Sequence, residues 1–307
     1  MRRCGAVRCI LRRLYRVRQV PADTTMRERL DRVDPAELRG KGLDGFAWLD
    51  GHCLLSVDGT GHFPSKSVHC DSCCVKEHRD GTRTHCHRML GAALVHPDFR
   101  EVFALPPEPI LRGDGATRND CERNAAKRLL RDVRRERPRL KLMVVEDGLA
   151  SNGPHIRLLQ ELNMRFVLGA KPGDHAELFE AADTWPMTRT MEAKGADGTR
   201  HRCRFINGVP LNDANRDLEV NFLEWTGTRP NGKVQRFSWV TDVAVDGTNA
   251  ELLMRAGRAR WRIENETFNT LKNQDCGLEH NHGHGHRHLA TALAELMTLA
   301  FLIDQVQ

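Results

Sequence analysis

The chain has 307 residues, 40% of them hydrophobic, which is enough to fill the core of one large domain or two ordinary ones. Lysine and arginine total 47 against 41 acidic residues, and the net charge of +6 favours a polyanionic partner without requiring one. We find no apolar run of about 18 residues and no leader with a cleavage site, so we expect a soluble cytoplasmic protein with no membrane partner. The ten cysteines are irregularly spaced, which is typical of reduced thiols in a chain of this size.

The first half of the chain predicts an α/β core behind a basic helical segment at 1–45. Three strands close together in sequence indicate an antiparallel meander, at Cys53–Val57, Met89–Val95 and Val102–Leu105. A helix is then expected from Asn119 or Asp120 to about Arg137; its many arginines favour either a solvated surface or a DNA contact. Strand, helix and strand follow, at Leu140–Val145, around Ile156–Leu162 and at Phe166–Leu168.

The second half changes in character at about residue 171. Turn signals such as Asp197-Gly198 and Asn231-Gly232 separate β-rich pieces, which predicts a β insertion over 171–248. Residues 250–274 then predict one helix, and Leu289–Val306 predicts another.

Two predicted strands end in an aspartate followed by glycine, at Asp58-Gly59 and Asp147-Gly148. Functional groups of open α/β sheets collect at such strand ends. If the strands are neighbours, the two carboxylates repel each other unless a cation neutralises them, which suggests a divalent metal. The alternative is turn chemistry, because Asp-Gly is a common turn dipeptide.

Glu264 is the third candidate carboxylate. On a helix that advances about 100° per residue, it falls in the centre of an apolar stripe, while Glu266 points the other way. The apolar neighbours are Trp261, Phe268 and Leu271. A glutamate in that setting is costly unless it is paired or binds a metal. The alternative partner is Arg260, one turn back on the same face.

Three stretches resemble bacterial insertion-sequence transposases that carry an Asp–Asp–Glu domain, of the insertion-sequence-four-like group. Residues 260–281, RWRIENETFNTLKNQDCGLEHN, resemble the helix that bears the family's glutamate. Residues 56–61, SVDGTG, resemble its first-aspartate strand, and residues 145–148, VEDG, its second. The resemblance extends from about Tyr15 to the C-terminus.

This resemblance implies a ribonuclease-H-like mixed sheet flanked by helices, with a β-rich insertion before the helix of the catalytic glutamate. The implied segments are a shortened DNA-binding region at 1–45, a core at 46–170 and 249–307, and the insertion at 171–248. Against the related signature Tyr-x2-Arg-x3-Glu-x6-Lys, Arg260 and Glu264 fit, Gly257 replaces the tyrosine, and Lys272 lies one residue late.

By the family's mechanism, Asp58, Asp147 and Glu264 would hold two Mg²⁺ or Mn²⁺ ions for phosphodiester cleavage and strand transfer at the ends of an insertion sequence. The expected partners are double-stranded DNA, as transposon ends and target, and a second copy of the chain on that DNA. We accordingly expect association with the nucleoid. Candidate DNA contacts are Arg258, Arg260, Arg262, Lys272 and Trp239, with core packing as the alternative for Trp239 and Trp225.

Two other classes of function stay open from the sequence. One is a catalytically inactive transposase remnant that only binds DNA or zinc, and the other is a ribonuclease-H-like nuclease that cuts without joining. The cysteines and histidines near residues 70–87 contain one Cys-x2-Cys pair, and the spacing matches no common closed site, so we expect no stoichiometric zinc. They are Cys70, Cys73, Cys74, His85, Cys86 and His87. The histidine-rich stretch at 280–288 resembles a metal-binding tract, or is simply the segment that follows the catalytic helix.

Overall fold

The computed structural model describes residues 45–115, 117–274, 276–285 and 288–306, so the predicted N-terminal segment lies almost wholly outside the described residues. Within these ranges ten strands form one mixed sheet: β1 Cys53–Ser65, β2 Cys74–Glu77, β3 Arg83–Val95, β4 Phe103–Ile110, β5 Leu142–Glu146, β6 Arg165–Gly169, β7 Arg189–Lys194, β8 Arg200–Pro210, β9 Glu219–Thr228 and β10 Val234–Thr241. The α-helices are α1 Arg118–Glu136, α2 Gly153–Glu161, α3 Ala176–Thr184, α4 Ala250–Ala259, α5 Asn269–Asn273 and α6 Leu289–Val306. A π-helix covers Ile263–Phe268, and a short 3₁₀ helix covers Asp213–Asn215.

The central five strands have the ribonuclease-H-like order β4-β3-β1-β5-β6. β1, β3 and β4 pair antiparallel, which confirms the predicted meander. β5 pairs parallel with β1, and β6 parallel with β5. Parallel neighbours need long crossover connections, and α1 and α2 supply them. The predicted mixed α/β sheet flanked by helices is therefore confirmed.

The β-rich stretch after β6 extends this same sheet. β10 pairs antiparallel with β6, and β9, β8 and β7 follow outward. The two predicted glycine turns connect these strands, with Gly198 and Gly232 at φ values of 79° and 81° that favour glycine. The helix α3 and the edge strand β2 were not predicted from the sequence.

Helices cover both faces of the sheet. Successive side chains of β1 point to opposite faces and so pack in two different hydrophobic clusters. Leu55 and Val57 join the cluster formed with α1, α2 and α3, whereas Leu54 joins the cluster formed with α4, the π-helix and α6. Asp58 and Ser56 share the second face, because successive strand residues point to opposite sides. None of the described helices is long and apolar enough to cross a membrane.

The predicted continuous helix at 250–274 is wrong in one respect that affects the site. After α4 the backbone passes into the π-helix, in which the amide N–H of Asn269 donates to the carbonyl oxygen of Glu264, five residues earlier. π-Helical turns are rare and often occur at functional sites. A rotation of about 100° per residue therefore does not hold through Glu264.

The packing of α4 explains why glycine stands where the signature has tyrosine. A Cβ atom at Gly257 would lie 2.3 Å from Nε1 of Trp239. Trp239 is 5% exposed and comes from β10, so its indole ring occupies the space beside the helix. A tyrosine at position 257 would collide with the indole ring of Trp239, so the two side chains cannot both be present in this arrangement.

Candidate active site

Asp58 and Asp147 lie at equivalent positions on neighbouring strands. The last residues paired between β1 and β5 are Ser56 and Val145, and each aspartate follows two residues later. β5 ends at Glu146 while β1 continues to Ser65, so the two carboxylates stand where the parallel pair opens. Both aspartates line one cavity of about 50 Å³. The strand-end placement expected from the sequence is therefore confirmed for Asp147, whereas the expectation for Asp58 is wrong, because β1 does not end at Val57 but continues through Asp58 in its pairing with β3.

Backbone amides hold both carboxylates in place. The Gly59 N–H donates to Oδ1 of Asp58 at 2.9 Å, and the Leu149 N–H donates to Oδ1 of Asp147 at 2.9 Å. The bond at Asp147 is turn chemistry, because a turn follows β5 there, whereas Asp58-Gly59 lies within β1 and forms no turn. The turn interpretation therefore applies to Asp147, whose side chain also faces the cavity, and not to Asp58.

Glu264 lies against Asp58 with Arg260 between them. Nη1 of Arg260 is 2.7 Å from Oε1 of Glu264 and 3.5 Å from Oδ2 of Asp58. Burial raises the pKa of Asp58 to about 7, together with a hydrogen bond to Glu264 and the charge of Glu264, while Arg260 acts in the opposite direction. Two carboxylates share one guanidinium here, so the site favours additional positive charge.

The surroundings of Glu264 differ from the helical-wheel expectation. Its side chain is 34% exposed, and Trp261 is 47% exposed, with the Arg260 guanidinium 4.4 Å from a Trp261 ring centroid. Phe268 and Leu271 are buried as expected. The π-helical turn causes the difference, because it changes the angular offset between positions 261 and 268. Glu264 forms the salt bridge with Arg260 that the sequence offered as the alternative to a metal-binding role. The same arginine also contacts Asp58, so Glu264 is both paired and close to an aspartate.

Close packing fixes the π-helix against β1 and β3. Gly91 pairs with Asp58 in the β1–β3 ladder, and a Cβ atom at Gly91 would lie 2.8 Å from the ring of Phe268. The hydroxyl of Ser56 donates to the carbonyl oxygen of Arg260 at 3.0 Å. These contacts place the segment that carries Glu264 directly over the strand that carries Asp58.

Glu266 points into a different region, as the sequence predicted. It pairs with Arg100 at 2.9 Å and with Arg262 at 3.7 Å. It also lines a groove of about 480 Å³, which we call the basic groove. The other lining residues are Pro97, Phe237, Arg255, Arg258, Ala259, Trp261, Arg262 and Asn265.

The predicted DNA contacts occupy several environments. Arg258 is exposed and lies over the rings of Trp225 and Phe237, at 5.6 and 5.5 Å. Arg262 donates to the carbonyl oxygen of Pro97 in the wall of the basic groove. Arg260 is only 11% exposed and belongs to the carboxylate cluster, and Lys272 pairs with Glu279 at 3.2 Å. Arg258 and Arg262 are thus the members of this set that line the groove.

The structure favours the alternative of core packing for the two tryptophans of the β insertion. Trp225 and Trp239 are both buried in the cluster beneath α4. Trp239, the predicted base-stacking residue, has Gly257 against its indole nitrogen and Phe237 beside its ring. The tryptophan exposed at this surface is Trp261.

The arginines of α1 are used largely within the protein. Arg128 pairs with Asp114 and Glu108, and Arg134 donates to carbonyl oxygens that include those of Leu162 and Leu140. Such contacts join the helix to neighbouring loops. They weaken the case for α1 as a DNA-binding surface.

Two further groups line the cavity of the aspartates and were not identified from the sequence. Glu122 of α1 pairs with Arg88, and its carboxylate lies so near Gly59 that a Cβ atom there would be 2.9 Å from Oε1. Nε2 of His155 lies 2.6 Å from Oε2 of Glu146, and both side chains are buried. The sequence did not predict a role for Glu122, because the many arginines of α1 indicate a basic surface helix and a single glutamate among them does not stand out.

The fold and the carboxylates of Asp58, Asp147 and Glu264 together define a ribonuclease-H-like protein with acidic side chains on its central parallel strands and on the helix packed over them. Residues 108–302, more than half of the chain, match the family model described as "Transposase DDE domain". The chain therefore belongs to the transposase DDE domain family, whose members in general use divalent metal ions. Asp147 and Glu264 lie inside the matched range, and Asp58 precedes it.

Two solved structures are similar to this chain at low identity. The cryo-EM structure of the piggyBac transposase synaptic complex with hairpin DNA is 11% identical, with a TM-score of 0.44, and the match covers 92% of this chain and 53% of that one. The crystal structure of the NurA nuclease from Sulfolobus solfataricus is 11% identical, with a TM-score of 0.34, covering 82% and 93%. This chain thus spans about half the length of the piggyBac chain. The comparison with curated proteins gives no match.

Proposed function

We propose that the protein is a DNA transposase of the bacterial insertion-sequence-four-like group, which cleaves phosphodiester bonds at the ends of an insertion sequence and transfers the freed strand. The observation that carries this proposal is the placement of Asp58 between two other carboxylates. Asp58 and Asp147 take equivalent positions on adjacent parallel strands and line one cavity, and Glu264 shares the Arg260 guanidinium with Asp58 from the helix packed above. The family match supports it over most of the core.

The donor set suits hard divalent cations. Asp58, Asp147 and Glu264 offer only carboxylate oxygens, which Mg²⁺ and Mn²⁺ prefer over nitrogen or sulfur ligands. The guanidinium of Arg260 already stands between Asp58 and Glu264 as a positive charge. We propose that these three residues hold two ions, which when bound would activate water and then a 3′-hydroxyl for attack on phosphodiesters.

The residues around the carboxylates would act by positioning. Arg260 bonds Glu264 and is itself anchored through its backbone by Ser56. The backbone amide of Gly59 in β1 orients Asp58, and the amide of Leu149 in the turn after β5 orients Asp147. Fixed side chains lower the entropic cost of assembling metal, nucleophile and phosphate in one geometry.

We propose that double-stranded DNA follows the basic groove next to this cluster. Arg255, Arg258 and Arg262 line the groove together with the exposed ring of Trp261. Arginines contact phosphates, and an exposed indole gives a face on which a displaced base can stack. Because transposition joins two ends, we also propose a homodimer on DNA. The segments 1–45, 46–170, 171–248 and 249–307 stand as our proposal for the domain organisation.

Arg258→Ala is expected to weaken DNA binding at low salt, because one phosphate contact is lost. The slope of the logarithm of the observed binding constant against the logarithm of salt concentration should fall in magnitude by about one. The measurement is fluorescence anisotropy with a labelled duplex across a salt series. Arg216→Ala is the matched control, since Arg216 is an exposed arginine that pairs with Asp213 away from the groove. Equal effects of the two substitutions would contradict a DNA path along the groove.

The proposed reaction is tested with a duplex that spans one end of this gene's own element, labelled on the element side of the strand whose 3′-hydroxyl cleavage would free, and a supercoiled target plasmid. A transposase yields Mg²⁺-dependent cleavage and label joined to the plasmid. Cleavage without joining would identify a nuclease. Binding without cleavage would identify an inactive remnant, and either result would overturn the proposal.

A further inference from the structure

A second cluster of metal-ligand side chains lies away from the carboxylates, where the turn before β2 meets β3. The sulfur atoms of Cys70 and Cys73 are 3.8 Å apart. Nε2 of His87 lies 3.4 Å from Cys70 Sγ and 3.6 Å from Cys73 Sγ. All three ligand atoms lie within 4.8 Å of one another.

These distances fit the edges of a zinc tetrahedron. With Zn–S near 2.3 Å and Zn–N near 2.0–2.1 Å, tetrahedral geometry separates two sulfurs by about 3.8 Å and a sulfur from a nitrogen by about 3.5 Å. The observed separations of 3.8, 3.4 and 3.6 Å agree with those values. The Cys73 N–H donates to the Cys70 carbonyl oxygen at 3.1 Å, which closes the tight turn that brings both sulfurs to one point.

His284, from the other end of the chain, contacts this group through Cys73 but is not one of the three residues whose ligand atoms all lie within 4.8 Å of one another, so a small shift of its ring would complete the tetrahedron. Its Nδ1 lies 3.0 Å from Cys73 Sγ, and its ring packs beside that of His87, with centroids 5.1 Å apart. Nε2 lies 2.8 Å from the carbonyl oxygen of Phe63, so Nε2–H donates and Nδ1 keeps the lone pair that a metal needs. The side chain is 1% exposed, which leaves it no alternative partner in solvent.

We infer that Cys70, Cys73, His87 and His284 form a structural zinc site of the Cys₂His₂ type. This inference departs from the sequence expectation of no stoichiometric zinc, which considered ligands within one hairpin only. The two histidines come instead from β3 and from a loop 211 residues beyond Cys73. Cys74 is outside the site, with its sulfur directed at the carbonyl oxygen of Ile110.

His284 connects the loop after α5 to β1, the strand that carries Asp58. His284 follows the Glu264 helix in the chain, and its contact with Phe63 is on β1. Phe63 is fully buried at a φ of 51°, an unfavourable value for a non-glycine residue, and its carbonyl oxygen is the one that His284 bonds. Zinc would therefore link the turn before β2 and strand β3 to the loop after α5, while the bond from His284 to Phe63 links that loop to β1, and the binding free energy would add to folding.

The test uses the tag-free, full-length protein and elemental analysis. We expect one zinc per chain in the wild type, and loss of zinc in Cys73→Ser and in His284→Asn. The matched controls are Cys74→Ser and His282→Asn, which change the adjacent cysteine and an exposed histidine of the same tract. Wild-type protein without zinc, or variants and controls that behave alike, would overturn the site.

A second measurement covers the case in which the loss variants fail to fold. Cobalt exchanged into the wild type should give the visible absorption of a tetrahedral thiolate site, because the ligand set and geometry determine the spectrum. His284→Cys should keep the metal and increase the sulfur-to-metal absorption, since one nitrogen ligand becomes a third sulfur. An octahedral cobalt spectrum, or a His284→Cys spectrum identical to that of the wild type, would exclude His284 as a ligand.

Discussion

Glu264→Gln is expected to lower Mg²⁺-dependent strand cleavage at least ~10²-fold, by analogy with the loss of one preorganised stabilising group. The amide keeps the shape of the side chain but loses the charge that would hold the metal. It also relieves repulsion with Asp58, whose pKa Glu264 helps to raise, so the fold should survive. Cleavage of the labelled end duplex in Mg²⁺ and Mn²⁺ measures the loss, and anisotropy on the same duplex should show that DNA binding persists.

Glu266→Gln is the matched control on the same helix. Glu266 pairs with Arg100 and Arg262 in the basic groove, so its loss should change affinity for DNA more than the rate of cleavage. Near-normal cutting by Glu264→Gln would overturn the metal-ligand assignment. So would a Glu266→Gln protein that binds DNA and fails to cut.

The positions of the two aspartates could be predicted because they depend on local signals. A buried apolar run specifies a strand, and the alternation of residues along it specifies the face. Asp-Gly marks the end of β5 but not that of β1, which continues to Ser65 because β3 pairs with it beyond Asp58. The prediction for Glu264 relied on regular helical geometry, and the π-helix changed the outcome for Trp261. The bond from the Asn269 N–H to the Glu264 carbonyl oxygen occurs where Phe268 packs against Gly91 of β3, and helical periodicity in the sequence does not encode such a long-range contact.

Features that depend on distant partners were harder to predict. The basic character of α1 was clear, but its arginines pair with Glu108 and Asp114 and with backbone carbonyls that only the fold brings near. The zinc ligands illustrate the same limit, since His284 and Cys73 are 211 residues apart. Spacing rules detect a site when its ligands lie in one hairpin and miss it when separate elements supply them.

Two neighbouring acids at the end of β5 give the last test. Asp147 stands two residues after Val145, as Asp58 stands two residues after its strand partner Ser56, whereas Glu146 is buried and bonds His155. Asp147→Asn should therefore lower cleavage at least ~10²-fold with little loss of stability, through the same loss of metal charge. Glu146→Gln should instead destabilise the fold by about 1–3 kcal/mol, because a buried charged hydrogen bond is weakened.

The titration of His155 distinguishes the two substitutions. Burial lowers the pKa of His155, but the charge and hydrogen bond of Glu146 outweigh it, so the pKa is raised above its usual value. Protonated His155 then contributes stability that is complete below the ordinary histidine pKa and is lost as the pH rises through the raised folded-state pKa. Glu146→Gln should thus lose more stability at acidic than at alkaline pH and lower the pKa of His155 in an NMR titration, while cutting DNA at temperatures where it is folded. A stable, inactive Glu146→Gln protein, or an active Asp147→Asn protein, would reverse the two roles.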